Sequence, residues 1–143
     1  MPSGSLVVGA PLVEVFGYLS DPTRRPEWQS SLRRVEDVTP PAPGVGQRWT
    51  DVTAAGVRPR METVEHEPPT RWAERGTWGP FAAWLRLDLA PADGGTRISW
   101  ELELTATGPA GLLARVLRSA APLAVAPDLR RAARVLEDRH RPR

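Results

Sequence analysis

Three acids and an arginine lie on extended-looking stretches, two of the acids close to tryptophan. Asp51 follows Trp49 by two residues in "RWTDV", Glu74 follows Trp72 by two in "RWAERGTW", and Arg60 and Glu62 sit together in "RPRMETV". In a strand, residues i and i+2 share a face. If Trp49 faces inward, so do Asp51 and Thr53. If Val64 does, so do Glu62, Arg60 and, at the rim, His66. If Trp72 does, so do Glu74 and Trp78. A carboxyl withdrawn from water has a raised pKa and can act as a general acid or base. An arginine beside it can stabilise negative charge as it develops, as fixed donors do in an oxyanion site. These residue types therefore suit general acid–base proton transfer.

Other chemistries are excluded by composition. The chain has no cysteine, and all nineteen basic residues are arginine. Disulfides, thiolate zinc sites, a cysteine nucleophile and a lysine Schiff base are ruled out. Histidine occurs only at His66 and His140, so a metal site with several histidine ligands is not expected, and neither a metal nor a cofactor is expected. Arginines crowd at Arg24, Arg25, Arg33 and Arg34 and again from Arg130 to the end. Glu27, Glu36, Asp37, Asp128, Glu137 and Asp138 interleave with them. A nucleic-acid binder needs a basic face and a reading element; this pattern reads instead as solvated helix faces, with no nucleic-acid partner.

The elements that must position the acids are legible in outline. At 143 residues, 41% hydrophobic and 25% charged, the chain is expected to form one domain over residues 1–143. No apolar run approaches the roughly 20 residues that span a bilayer, and no basic, then apolar leader opens the sequence. No membrane insertion and a cytoplasmic location are expected. "SLVVGA" reads as an opening strand. "PLVEVFGYLS" puts Leu12, Val15, Phe16 and Leu19 on one helical stripe. Asp21-Pro22 ends that helix, and "TRRPEWQSS" restarts one with Thr23 as a cap. A strand over "LRRVEDVTP" and the loop "PPAPGVGQ" come next, followed by five further strand-like runs separated by Gly56, Pro68-Pro69, Gly79-Pro80 and "APADGG". In the last run Ile98, Trp100, Leu102 and Leu104 alternate with Arg97, Ser99, Glu101 and Glu103, the pattern of a sheet with one buried face. From Gly111 to Arg139 apolar residues recur at helical spacing, and Pro122 and Pro127 predict a kink or two consecutive segments between Ala120 and Asp128.

The order of these elements, with "APLVEVFGYLSDPTRRPEWQ", "GVGQRW", "EHEPPTRW", "DGGTRISWELEL" and the C-terminal helix, resembles the START-like, or SRPBCC, superfamily and within it the polyketide cyclase/dehydrase-like group. The resemblance spans nearly the whole chain. It implies an α+β helix-grip fold, a curved seven-stranded antiparallel sheet with two short helices and a long C-terminal helix enclosing a cavity. It also makes the middle strands neighbours, so the inward wall carries Asp51, Glu62, Glu74 and Arg60 among aromatics. Glu62 or Glu74 is then the expected proton-transferring group, with Asp51 as the fallback.

Ligand contacts are expected from Trp28, which the resemblance places against the sheet, and from Trp49, Trp72 and Trp78. On the last two strands Phe81, Leu85, Trp100 and Leu102 face the same way. Two readings of the polar wall stand side by side. In one it performs acid–base chemistry; in the other Arg60 pairs a neighbouring glutamate structurally, or bulges turn these side chains out. Two functions follow. One is cyclisation or dehydration of an aromatic or polyketide-like precursor. The other is non-catalytic carriage or sensing of a lipid, quinone or isoprenoid. Either takes a small hydrophobic molecule as partner, in a monomer or weak homodimer.

Overall fold

A computed structural model describes residues 2–40, 43–111 and 122–139. The chain runs β1 (Ser3–Val8), α1 (Leu12–Leu19), a 3-10 turn (Pro22–Arg24), α2 (Arg25–Trp28), β2 (Leu32–Glu36), β3 (Arg48–Thr53), β4 (Arg60–Glu67), β5 (Arg71–Trp78), β6 (Phe81–Ala92), β7 (Gly95–Ala106) and a C-terminal helix, here α3 (Pro122–Arg139). The strands form one antiparallel sheet of seven in the order β1-β7-β6-β5-β4-β3-β2. This is the helix-grip arrangement. Among the described residues no helix is long and apolar enough to cross a membrane.

Local chemistry explains the joints. Asp21, not Thr23, caps the 3-10 turn: its Oδ1 accepts from the Thr23 amide at 3.0 Å and the Thr23 hydroxyl at 2.7 Å. Pro22 and Pro26 each fall in the first turn of the helix they open, where the missing amide costs nothing. Strand β5 turns into β6 through Gly79-Pro80, with Gly79 at φ +53°. The loop between β6 and β7 is Asp93-Gly94, with Gly94 at φ +80°. Helix α3 buries Leu129, Ala132, Ala133 and Leu136, an i, i+3, i+4, i+7 stripe laid on the sheet. Its backbone is helical without a break from Pro122 through Pro127 to Arg139. The apolar positions expected at Leu112, Leu113, Val116, Leu117 and Ala120 lie outside the described residues.

The core fills the concave side of the sheet: Val15, Phe16, Tyr18 and Leu19 from α1 meet Leu87, Leu89, Ile98 and Trp100. The tip of the long hairpin fixes where α1 begins. The Thr96 hydroxyl donates to the Ala10 carbonyl at 2.8 Å. Gly95 is pressed so closely on β1 that an added Cβ would lie 1.9 Å from the Val8 carbonyl oxygen. Backbone cannot give way there as a side-chain end would. Gly95→Ala is therefore expected to destabilise the protein by at least the ~1–3 kcal/mol of an overpacked core site, read as a lower denaturant midpoint at unchanged slope. An unchanged midpoint would show that the hairpin tip does not clamp β1.

Candidate functional site

The site begins with Arg25. It opens α2, and Trp28 one turn later lies on the same helix face. Both are buried, at 3% and 2% exposure. Arg25 reaches across to β5, where its Nη1 donates to Glu74 Oε2 at 2.6 Å and its Nη2 to Glu74 Oε1 at 3.0 Å. Nη2 also donates to Gln29 Oε1 at 2.6 Å, and Nε lies 3.8 Å from Asp51 Oδ1. Trp49 Nε1 donates to that same Asp51 oxygen at 2.9 Å. The guanidinium carbon is 5.3, 5.7 and 6.0 Å from the ring centroids of Trp28, Trp49 and Trp72, within cation–π range.

One cation thus faces two buried acids. Burial pushes Glu74 up to about 7; Arg25 opposes the rise and the nearby Asp51 charge adds to it. Burial likewise raises Asp51, against Arg25 and the Trp49 hydrogen bond. Burial disfavours the charge of Arg25, but Glu74 and Asp51 outweigh it and its pKa is raised. One positive charge cannot neutralise two carboxylates in a dry site, so the second acid tends to hold its proton.

Beside this cluster lies a cavity of about 190 Å³ between α2, α3 and the sheet. Arg25, Trp28 and Glu74 border it at one side. Met61, Ala83, Leu85 and Leu102 wall it from the sheet, Val125 and Leu129 from α3, and Gln29, Ser31 and Asp128 complete the lining. The α3 wall is tethered: Asp128 Oδ1 accepts from the Ser30 amide at 3.2 Å and hydroxyl at 2.9 Å. Arg139 also donates to Glu27 at 3.2 Å.

The expected site residues divide. Glu74 and Asp51 meet in the cluster. Glu62 and Arg60 do not: Arg60 is exposed, and Glu62 accepts from Arg48 Nε at 2.9 Å on the outer face. Pairing explains the correction. A bulge between Thr63 and Glu65 makes Val64 the extra residue, so Val64 is no guide to the inward face. Met61 opposite Gly76 and Thr63 opposite Glu74 point in instead. Beyond the bulge His66 pairs with Trp72 and meets the Phe16 ring edge-on at 5.2 Å, with its pKa lowered by burial.

Of the expected ligand contacts, Trp28, Leu85 and Leu102 border the cavity. Trp49 and Trp72 surround Arg25 instead. Trp100 fills the core beneath Gly4, whose added Cβ would come within 2.8 Å of its ring. Trp78 and Phe81 stack on each other at 5.5 Å where β5 turns into β6. Arg25 itself, read from sequence as part of a solvated arginine cluster, was missed. The signal was its i, i+3 spacing from a core tryptophan.

A helix gripped by a curved sheet, with a cavity between them and a polar cluster on its wall, defines the START-like class. The chain belongs to the family described as polyketide cyclase / dehydrase and lipid transport, whose profile matches residues 3–141. No curated protein matches the sequence. Among solved structures, the fold is shared with the di-domain ARO/CYC StfQ from the steffimycin biosynthetic pathway (TM-score 0.78, 17% identity, 97% of this chain and 51% of that one). It is shared too with TTHA0849 from Thermus thermophilus (TM-score 0.77, 20% identity, 95% and 96%). A third example is MLL2253 from Mesorhizobium loti (TM-score 0.75, 17% identity, 99% and 98%).

Two predictions test the cluster. Arg25→Met leaves two buried acids without their cation and is expected to cost about 3–5 kcal/mol of stability; a loss under about 1 kcal/mol, the range of an exposed pair, would deny the pair its burial. The second concerns pH. The folded-state pKa of Glu74 lies above its ordinary 4.5, at about 7. Its contribution to stability is therefore full below pH 4.5 and is lost as pH rises to about 7. Against Glu74→Gln, which cannot titrate, the wild-type melting temperature should fall across that window. Parallel profiles would mean that Glu74 is already ionised throughout it.

Proposed function

We propose that this protein takes a small hydrophobic molecule into the cavity between α2, α3 and the sheet, and that Glu74 moves a proton on it in a cyclisation or dehydration. The observation that supports this reading is a carboxyl on the cavity wall, 5% exposed, with its pKa pushed up to about 7. General acid–base catalysis works best when the pKa lies near the operating pH. A group half-protonated at neutral pH can both take and return a proton.

In the proposed sequence the Glu74 carboxylate removes a proton from a carbon flanked by two carbonyls. The resulting enolate attacks a second carbonyl of the same molecule, forming the ring carbon–carbon bond. Protonated Glu74 returns its proton to the new alkoxide. Loss of a further α-proton and of that hydroxyl, reprotonated as it leaves, releases water and forms the ring double bond. Arg25, which grips Glu74, also supplies positive charge beside the developing enolate. The family's own description and the fold shared with an ARO/CYC protein support the same chemistry.

A second reading, a non-catalytic carrier, is favoured by one observation. Arg25 donates to both Glu74 oxygens, a clamp that serves structure as well as chemistry. The two readings separate on a short β-keto thioester chain, with cyclised product followed by mass spectrometry and binding by calorimetry. Under the catalytic reading Glu74→Gln lowers turnover by roughly 10²–10⁴-fold with affinity within a few-fold, while Glu62→Gln on the outer face leaves turnover unchanged. Saturable binding with no rate above background in the wild type would establish carriage.

A further inference from the structure

The outer face of the sheet carries an aromatic that the cavity does not use. Register places Arg75 on β5, Trp84 on β6 and Glu103 on β7 side by side across that face. Trp84 is half-buried, and the Arg75 guanidinium carbon lies 5.3 Å from its ring centroid. Beside it runs a groove of about 220 Å³ that Arg86, Glu101 and Glu103 also line. Arg75 and Glu103 are exposed, and neither makes an ion pair among the described residues. Aromatic residues are enriched where protein surfaces meet.

Charge on this face is sorted by strand. Residues two apart share a face, so β5 presents Arg71, Ala73, Arg75 and Thr77 outward, and β7 presents Ser99, Glu101, Glu103 and Thr105. The first stripe is basic and the second acidic, with Trp84 and β6 between them. Such a face is complementary to itself, as the interface of a twofold dimer must be. With the twofold axis running along β6, each copy sets its basic β5 stripe against the other's acidic β7 stripe. Arg75 of each copy then faces Glu103 of the other, and the two Trp84 rings meet on the axis. Arg86 and Asp88 also meet their own copies there. Both are already neutralised within the chain: Asp88 lies 2.9 Å from Arg71 and 3.3 Å from Arg86, and Glu101 lies 4.0 Å from Arg86.

Strand spacing and rise give this three-strand patch a size of roughly 10 by 20 Å. That is well below the ~800 Å² per partner of a standard interface, so pairing on it is weak.

We propose that this face binds the same face of a second copy, forming a weak twofold dimer centred on Arg75, Trp84 and Glu103. A partner of uniform charge fits less well, because it meets like charge on one of the two stripes. The inference does not rest on the proposed chemistry. The cavity lies on the other side of the same strands, with Glu74 and Leu102 on its wall.

The test is sedimentation velocity over a concentration series, applied to the wild type, Arg75→Glu, Glu103→Arg and an equimolar mixture of the two variants. Both positions are exposed, so the fold tolerates either charge. The wild type should dimerise reversibly, with a dissociation constant of roughly 10 μM to 1 mM for so small an interface, and added salt should weaken it. Each variant alone sets like charges against each other on both sides of the axis and should dimerise about tenfold more weakly or worse. In the mixture every reversed charge meets its opposite. The heterodimer should recover to within a few-fold of the wild type, which a reversal acting by unfolding could not do. A wild type still monomeric at about 1 mM would overturn the proposal. So would single variants that dimerise as well as the wild type, or a mixture that does not recover.

Discussion

The site depends on one buried cation. Arg25 is held among three tryptophan rings and two carboxyls on neighbouring elements. Removing a guanidinium and two acids from water costs several kcal/mol per ion, so the cluster is a poor source of stability. Its value is positional. A four-residue helix has almost no stability of its own, yet bidentate geometry fixes Arg25 on Glu74 in both distance and direction. That fixes α2 over β5 and brings Trp28 to the cavity border.

The cavity follows from what cannot collapse onto it. Helix α3 is packed on the sheet along the Leu129, Ala132, Ala133 and Leu136 stripe and tied to the α2 end by Asp128 and Arg139. On the sheet side, Gly76 leaves room for Met61; a Cβ there would lie 2.7 Å from the methionine sulfur. Small Ala83 on the next strand adds space. The polar cluster therefore lies at one side of an apolar chamber.

This arrangement explains how one family hosts both catalysis and transport. The grip of helix on sheet supplies a chamber of adjustable size, and the wall decides its use. Here the wall carries an acid whose protonation is set by burial and by a single shared cation. Under the catalytic reading proposed above that acid exchanges protons, whereas a carrier requires only the chamber.

The sequence by itself determined the elements and their order. Alternation in β6 and β7 placed Leu85, Trp100 and Leu102 on the inward face, because a strand's side-chain period of two is local and survives wherever no bulge intervenes. The same rule placed Asp51 with Trp49 and Glu74 with Trp72. It failed at β4, where the extra residue at Val64 shifts the register and leaves Glu62 and Arg60 on the outer face. A bulge is a property of strand pairing, and no local pattern in "RMETVEHE" announces it. Only the tertiary structure decided which cation would meet the acids. Arg25 and Glu74 are 49 positions apart, and nothing local separates Arg25 from the exposed Arg24 beside it except its spacing from Trp28. The partner of a buried charge is chosen by whichever element packs above it, and that choice belongs to the folded chain.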